Sequence, residues 1–499
     1  METKTIQSTV FSARQISAAC IAIAYFVFRF LLKTKSKSKP DEYPTVGSPD
    51  APNLHELLIE AHQKYPNKPF TIRETPHGAP TIVLPKRYID EVKNLPETKL
   101  SFRKAVMNRL AGKYTTIGGE LDHGMVDCVK IDLTRNIART LAGLQDEADF
   151  AIPSTFGECE DWTPIPFYKD VLRIIALLSG RIFVGLPLCR NEEWIDITIR
   201  YTMDAFAAVD PVNNISPLWR FWSAPSMPQV KKIHEHRANG ARLLKPILQE
   251  RLRQMEDPTF GPPADMIQFL MSRAGEKKDD AMFLSYMQML VSLAAIHTTA
   301  MNITHVIYDL AAHPEYIAPL REELESVLRE DGGVLVKTSM TKLKKMDSFL
   351  KESQRMNPPN SLSLSRQTTS DITLSDGLYI PKGTYTAISS LGINYDPSTY
   401  PSPYEFQPFR FSNLRSQPGN ENKYQFVTTS TESIAFGHGT HACPGRFFAS
   451  NEIKVIFAGL LMRYDVKLKE GMGRPANMRG KTRLGPDTKA EVLFRKREN

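Results

Sequence analysis

The stretch from Phe436 to Ala449, Phe-Gly-His-Gly-Thr-His-Ala-Cys-Pro-Gly-Arg-Phe-Phe-Ala, concentrates residue types that could do chemistry. Cys443 stands at its centre, with Gly437 and Gly439 before it and Pro444 and Gly445 after it. The glycines permit a tight turn with positive φ. Pro444 suits the first position of a helix, which would place Cys443 at the cap. A sulfur there faces unpaired N–H groups and the positive end of the helix dipole, and both favour thiolate over thiol. Gly445 leaves space for something broad and flat to approach the sulfur, so the thiolate suits the axial position of a haem iron. Two blander readings compete. One is a buried structural cysteine. The other is a zinc site from His438, His441 and Cys443, which lacks a fourth ligand nearby and a Cys-x-x-Cys partner.

Two distant segments could serve such a centre. Residues 283–313 contain no Pro or Gly and are apolar on nearly every face, which predicts a buried helix of about 45 Å crossing the domain. Its middle reads Ala294-Ala295-Ile296-His297-Thr298-Thr299. In isolation Thr298 would be a core threonine bonding its i−4 carbonyl. Further on, Lys351-Glu-Ser-Gln-Arg-Met-Asn-Pro-Pro puts Glu352 and Arg355 on one helical face, ended by Pro358 and Pro359.

Together these segments resemble the cytochrome P-450 superfamily. Its haem-binding signature runs Phe, two to three residues, Gly, a basic residue, then Cys and Gly. Phe436, Cys443 and Gly445 match it, and His441 occupies the basic position usually held by Arg. The spelling His-Ala-Cys-Pro-Gly-Arg-Phe-Phe-Ala resembles fungal membrane-bound members. The resemblance spans roughly residues 40 to 499 and implies a mainly helical haem-thiolate fold with a small β subdomain. It implies haem b held by Cys443 as axial iron ligand, with His441, Arg366 and Lys130 as propionate contacts. The usual Trp four residues before the last of these is Val126. It implies that Thr298 assists proton delivery during oxygen activation. His297 stands where the family has an acid, and an imidazole could relay protons there; a structural role on the helix is the alternative. It also implies a lock in which Glu352 is shared by Arg355 and by Arg410 of the loop Phe406-Gln-Pro-Phe-Arg-Phe411.

The implied function is a monooxygenase acting on a bulky lipophilic substrate. Electrons would come from NADPH through a flavoprotein reductase docked on a basic face with residues such as Arg446 and Lys454. The spelling of the motifs is similar to fungal enzymes of terpenoid, gibberellin-like or indole-diterpene secondary metabolism. Candidate pocket walls are Lys113–Gly119, Ala294–Thr298 and Asn360–Leu364. A reductase-independent haem-thiolate isomerase or dehydratase, and a haem sensor or carrier, are the rivals. Thr298 argues against both.

The rest of the chain must position these groups. It has 499 residues, 41% hydrophobic and 24% charged, with a net charge of +8, an ordinary globular balance. No Lys/Arg block interleaved with aromatics speaks for nucleic acid. Five cysteines at irregular spacing form no disulfide framework. Residues 16–32 form one apolar run of roughly 26 Å as a helix, short but sufficient to cross a bilayer. Lys33, Lys35, Lys37 and Lys39 follow it. The positive-inside rule then predicts a lumenal N-terminus (1–15), a single-pass anchor (16–32) in the endoplasmic reticulum and a basic, Pro-rich linker (33–53). A cytosolic catalytic domain (54–499) completes the chain. Asn53 and Glu56 predict a capping box, and strands are expected near 70–74 and 81–84 with a turn at Pro76-His-Gly. A helix near 127–141 should carry Lys130. Residues 211–228 hold Trp219, Phe221 and Trp222 among prolines, either packed in the core or dipping into a membrane interface.

Overall fold

The computed structural model describes residues 43–48, 51, 53–74, 79–118 and 123–498. The expected membrane anchor, most of the linker, the Pro76-His-Gly turn and Gly119 lie outside the described residues. The architecture is mainly helical with small sheets. Helix α1 (His55–Lys64) opens it. The Asn53 side chain reaches the His55 N–H at 3.4 Å, but no side-chain cap closes and Glu56 pairs with Arg479 instead.

Strands β1 (Phe70–Ile72) and β2 (Thr81–Leu84) form the expected antiparallel pair. With β3 (Leu100–Ser101), β4 (Leu362–Thr368) and β5 (Tyr385–Ser389) they make a five-stranded sheet, order β1-β2-β5-β4-β3. The pairing of β4 with β5 shifts register between Ser363 and Arg366, and Leu364 has φ +49°. A bulge of this kind re-aims the side chains that follow it, and Arg366 is the next one to pair.

The helical body packs α2 (Ile137–Phe156), α3 (Phe167–Phe183), α4 (Glu192–Ala207) and α5 (Pro228–Gln254) around the central α6 (Ala281–Ala312). The Asp280 carboxylate caps α6 by accepting from Phe283 N–H at 3.0 Å. Burial of its two flanks, Leu284–Ser292 and Ile303–Ala311, drives this unbroken apolar run into the core. It is the one described helix long and apolar enough to cross a membrane; here its surroundings are protein. Helices α7 (Lys344–Met356) and α8 (Arg446–Arg463) complete the core on the side of Cys443. Lys130 lies in a π-helical turn, Cys128–Leu133, just before α2; such turns shift the side chains that follow and recur at functional sites.

Candidate active site

Cys443 sits in a closed loop rather than at the helix cap. Helix α8 starts at Arg446 with Gly445 as its N-cap, so the sulfur precedes the helix by a further turn of chain. Its N–H donates to Phe436 O at 2.7 Å, and Gly437 and Gly439 take φ +70° and +79°. A Cβ on Gly439 would stand 2.6 Å from Lys93 O, so this position requires glycine. The Phe436 ring is braced edge-on by Phe426 at 5.3 Å. Burial pushes the Cys443 thiol up, while the N–H groups of Gly445 and Arg446 and the Arg446 charge pull it down. Desolvation and the helix-end effect therefore oppose one another at this sulfur. Metal coordination would supply the missing stabilisation.

The expected cation cluster comes together beside this loop. His441 Nε2 lies 3.3 Å from Glu97 Oε1, and Arg366 and Lys130 are close enough to act on it electrostatically. Its ring lies 6.1 Å from that of Phe102, over which the Arg366 guanidinium also sits at 5.1 Å. Arg366 is buried, and among the described residues no carboxylate lies within ion-pair distance of it. Its one described hydrogen bond goes to Ser365 O at 2.9 Å. Burial pulls its pKa down to about 10. Glu97, Phe102 and Asn94, which receives both donors of Thr440 at 3.0 Å, escaped the sequence reading. No local motif marks them. The zinc alternative fails: His438 is engaged by Thr429 at 2.9 Å, and no group of three metal-ligating side chains occurs among the described residues.

On α6, Ala294 and Thr298 are solvent-accessible although both flanks of the helix are buried. Mid-length α6 is therefore the stretch that its neighbours leave open. Thr298 Oγ1 donates to Ala294 O at 2.7 Å, which leaves its oxygen free to accept. His297 points elsewhere. Its Nε2 lies 3.1 Å from Ile199 O and its Nδ1 3.4 Å from the Tyr168 hydroxyl, and burial pulls its pKa down. A neutral imidazole anchored to α4 and α3 fits the structural role, not the proton relay.

Glu352 is completely buried. Arg355 donates to both its oxygens at 2.8 Å, Arg410 reaches them at 3.2 and 3.3 Å, and Gln407 N–H adds a bond at 3.0 Å. Arg355 also holds Asn394 O and Pro403 O at 2.7 and 2.8 Å. Lys454, expected on a docking face, is instead buried, bonded to Asp347 at 2.6 Å and Met340 O at 2.9 Å. Arg446 is partly buried and turns back to Cys443 O at 2.9 Å.

The sequence model described as Cytochrome P450 matches residues 178–494. The cytochrome P450 monooxygenase BOA4 of Botryotinia fuckeliana is 42% identical over 97% of both chains. The cytochrome P450 monooxygenase ascG of Acremonium egyptiacum is 41% identical over 96% of this chain and 94% of its own. The chain belongs to the cytochrome P450 family. A solved structure, the retinoic acid-bound cyanobacterial CYP120A1, shares the fold of this P450 with a TM-score of 0.66 at 17% identity, covering 91% of this chain and 99% of that one. Family membership makes the chain a monooxygenase and implies a haem cofactor, a redox partner and a lipophilic substrate. The residues of this P450 fit the cofactor: a sulfur donor on a closed loop, a buried Arg366 guanidinium without an ion pair among the described residues, Lys130 and the His441 imidazole beside it for the propionates, and a helix open at Ala294 and Thr298.

Proposed function

We propose that this P450 oxidises a bulky lipophilic secondary metabolite of terpenoid type, with Cys443 as the residue that would hold the haem iron and Thr298 as the hydroxyl that guides protons. The observation that carries this reading is that α6, buried along both flanks, opens at Ala294 and Thr298 at its mid-length. When bound, the haem supplies dioxygen activation and insertion of one oxygen atom into a substrate C–H bond. Arg366, His441 and Lys130 would hold the propionates, and Phe436 and Gly445 would shape the loop beneath. The lock of Glu352, Arg355 and Arg410 holds the segment leading to that loop. Thr298 keeps its own proton on Ala294 O, which leaves its oxygen free to accept from a donor on its open side. Electrons would come from NADPH through a flavoprotein reductase.

Thr298→Ala removes that acceptor and should uncouple turnover. NADPH is still consumed, hydrogen peroxide accumulates, and product falls by about 10²-fold or more, the lower end of the roughly 10²–10⁴-fold range of one proton-transfer group. Product and peroxide measured together, with the reductase present, check this. Coupling at the wild-type level would favour the reductase-independent isomerase.

A membrane location of the enzyme rests on two features. The apolar run at 16–32 would anchor it to the endoplasmic reticulum, with residues 1–15 lumenal and the catalytic domain cytosolic. Leu218, Trp219, Phe221 and Trp222 are 84, 68, 58 and 73% exposed, an apolar patch that water disfavours and a headgroup layer accommodates. Deleting residues 1–32 should leave cofactor binding intact and membrane binding weakened. Adding Trp219→Ser and Trp222→Ser should release most of the remaining protein in a vesicle flotation assay. Unchanged flotation would place the contact elsewhere.

A further inference from the structure

A hairpin near the C-terminus, in which Met478–Arg479 pairs with Leu484–Gly485, lies against the open stretch of α6. Ala294, Thr298 and Met301 share one face of that helix, spaced i, i+4 and i+7. A Cβ on Gly485 would meet the Met301 methyl at 3.8 Å, so a side chain at 485 is directed toward this face. Side chains two residues apart leave a strand on the same side. Arg483, bridged to Asn360, therefore projects toward α6, while Leu484 between them turns the other way and is buried. The Arg483 guanidinium lies over the Phe206 ring of α4 at 4.9 Å. The hairpin tip is firmly held. Leu54 N–H donates to Lys481 O and Ser361 N–H to Thr482 O, both at 2.9 Å. The buried His55 ring lies 2.9 Å from Gly480 O through Nε2 and 2.8 Å from Ser361 Oγ through Nδ1.

The charge of Arg483 has no counterpart among the described residues. Arg479 of the same hairpin pairs with Glu56, Arg474 just before it with Asp309, and Arg109 with Glu74 at 3.0 Å. Glu74 also accepts from Thr482 Oγ1 at 3.3 Å, so the acid that reaches the hairpin tip is already engaged. Water alone would account for an unpaired arginine on the outer side of a hairpin. This one is on the inner side, exposed yet seated on an aromatic ring.

We propose that Arg483 is a specificity-determining residue that binds an anionic group of the substrate, a single carboxylate on an otherwise lipophilic body. The planar guanidinium fork matches a carboxylate through two parallel hydrogen bonds. One unpaired cation balances one negative charge, which a carboxylate supplies and a phosphate exceeds. Phe206 and Met301 offer apolar surface beside the charge. An acid held at Arg483 directs its body along the face of α6 that carries Thr298, one helical turn from Met301. The proposal rests on the lipophilic substrate read above and narrows it to acids. A support fixed at the tip by three backbone carbonyls means that little ordering is needed when the anion binds.

The test uses the full-length, cofactor-loaded protein and equilibrium dialysis with labelled farnesoic acid, its methyl ester and farnesylamine. Wild type should bind the acid more tightly than the ester, and added salt should weaken the acid alone. Arg483→Met should weaken the acid roughly ten- to a hundredfold, the range of a hydrogen bond to a charged group, and leave the ester unchanged. Arg483→Lys, which keeps the charge without the fork, should fall between them. Arg483→Glu should bind farnesylamine better than wild type does, a gain that a merely structural arginine would not give. Equal binding of acid and ester by wild type overturns the proposal, as does equal loss of both in Arg483→Met. Should Arg483→Met fail to fold, the wild-type preference, its salt dependence and Arg483→Lys decide. Ester binding without preference for the acid removes the anion and leaves the lipophilic reading standing. Failure of all three probes to bind removes both. If Thr298→Ala proves fully coupled while the acid preference holds, the Thr298 reading falls and the Arg483 contact stands.

Discussion

Glu352→Ala should yield protein that retains little haem and aggregates, rather than an enzyme that merely turns over slowly. The carboxylate binds two guanidinium groups and a backbone N–H inside the core. Removing it leaves Arg355 and Arg410, both buried, without their shared counter-charge. Breaking a buried pair from one side costs roughly 3–5 kcal/mol, a large part of the stability of an ordinary domain. The damage is also directional. Arg355 holds Asn394 O and Pro403 O, and Arg410 holds Pro401 O at 2.7 Å, so the lock organises the chain between β5 and the Cys443 loop. Haem per polypeptide and the unfolding midpoint measure this. Arg355→Ala should behave alike, whereas Arg355→Lys should recover part of the stability but not the bidentate geometry. Normal cofactor content with a normal midpoint in Glu352→Ala would refute the lock.

Cys443→Ala should abolish product formation while leaving the fold nearly intact. The loop is held by its backbone, through Cys443 N–H to Phe436 O and the turns at Gly437 and Gly439, and alanine can occupy the same backbone. What disappears is the sulfur that would hold the haem iron, and with it the thiolate donation that oxygen activation by the cofactor would draw on. The variant should unfold near the wild-type temperature once the lower cofactor occupancy is taken into account, yet give no oxygenated product with reductase and NADPH. Product at wild-type levels would assign the iron ligand elsewhere.

Features encoded by neighbours in sequence were readable in advance. The long central helix follows from an unbroken apolar run, the turn before Cys443 from its two glycines, and the Glu352–Arg355 contact from its helical spacing. What sequence misplaced depends on partners far along the chain. Lys454 reads as a surface charge on a helix until Asp347, 107 residues away, is found beside it. His297 occupies the position of a relay acid, but its ring is taken by Ile199 O, 98 residues away. At Cys443 the helix-end effect, legible from Pro444 and Gly445, is opposed by a burial that composition does not reveal. Glu97 and Arg483 carry no local motif at all, and their importance comes only from what faces them. The exposed aromatics at 219–222 could not be told from core residues by type alone, since aromatic side chains serve both places.

The central claim, a haem held by the sulfur of Cys443, is tested most directly by the carbon monoxide difference spectrum of the reduced, full-length protein. The expected result is the strongly red-shifted Soret band given by a thiolate-ligated haem with carbon monoxide bound, and its complete loss in Cys443→Ala assayed at equal haem content. A wild-type band at the position given by a nitrogen ligand, or a thiolate band that survives in Cys443→Ala, would contradict it.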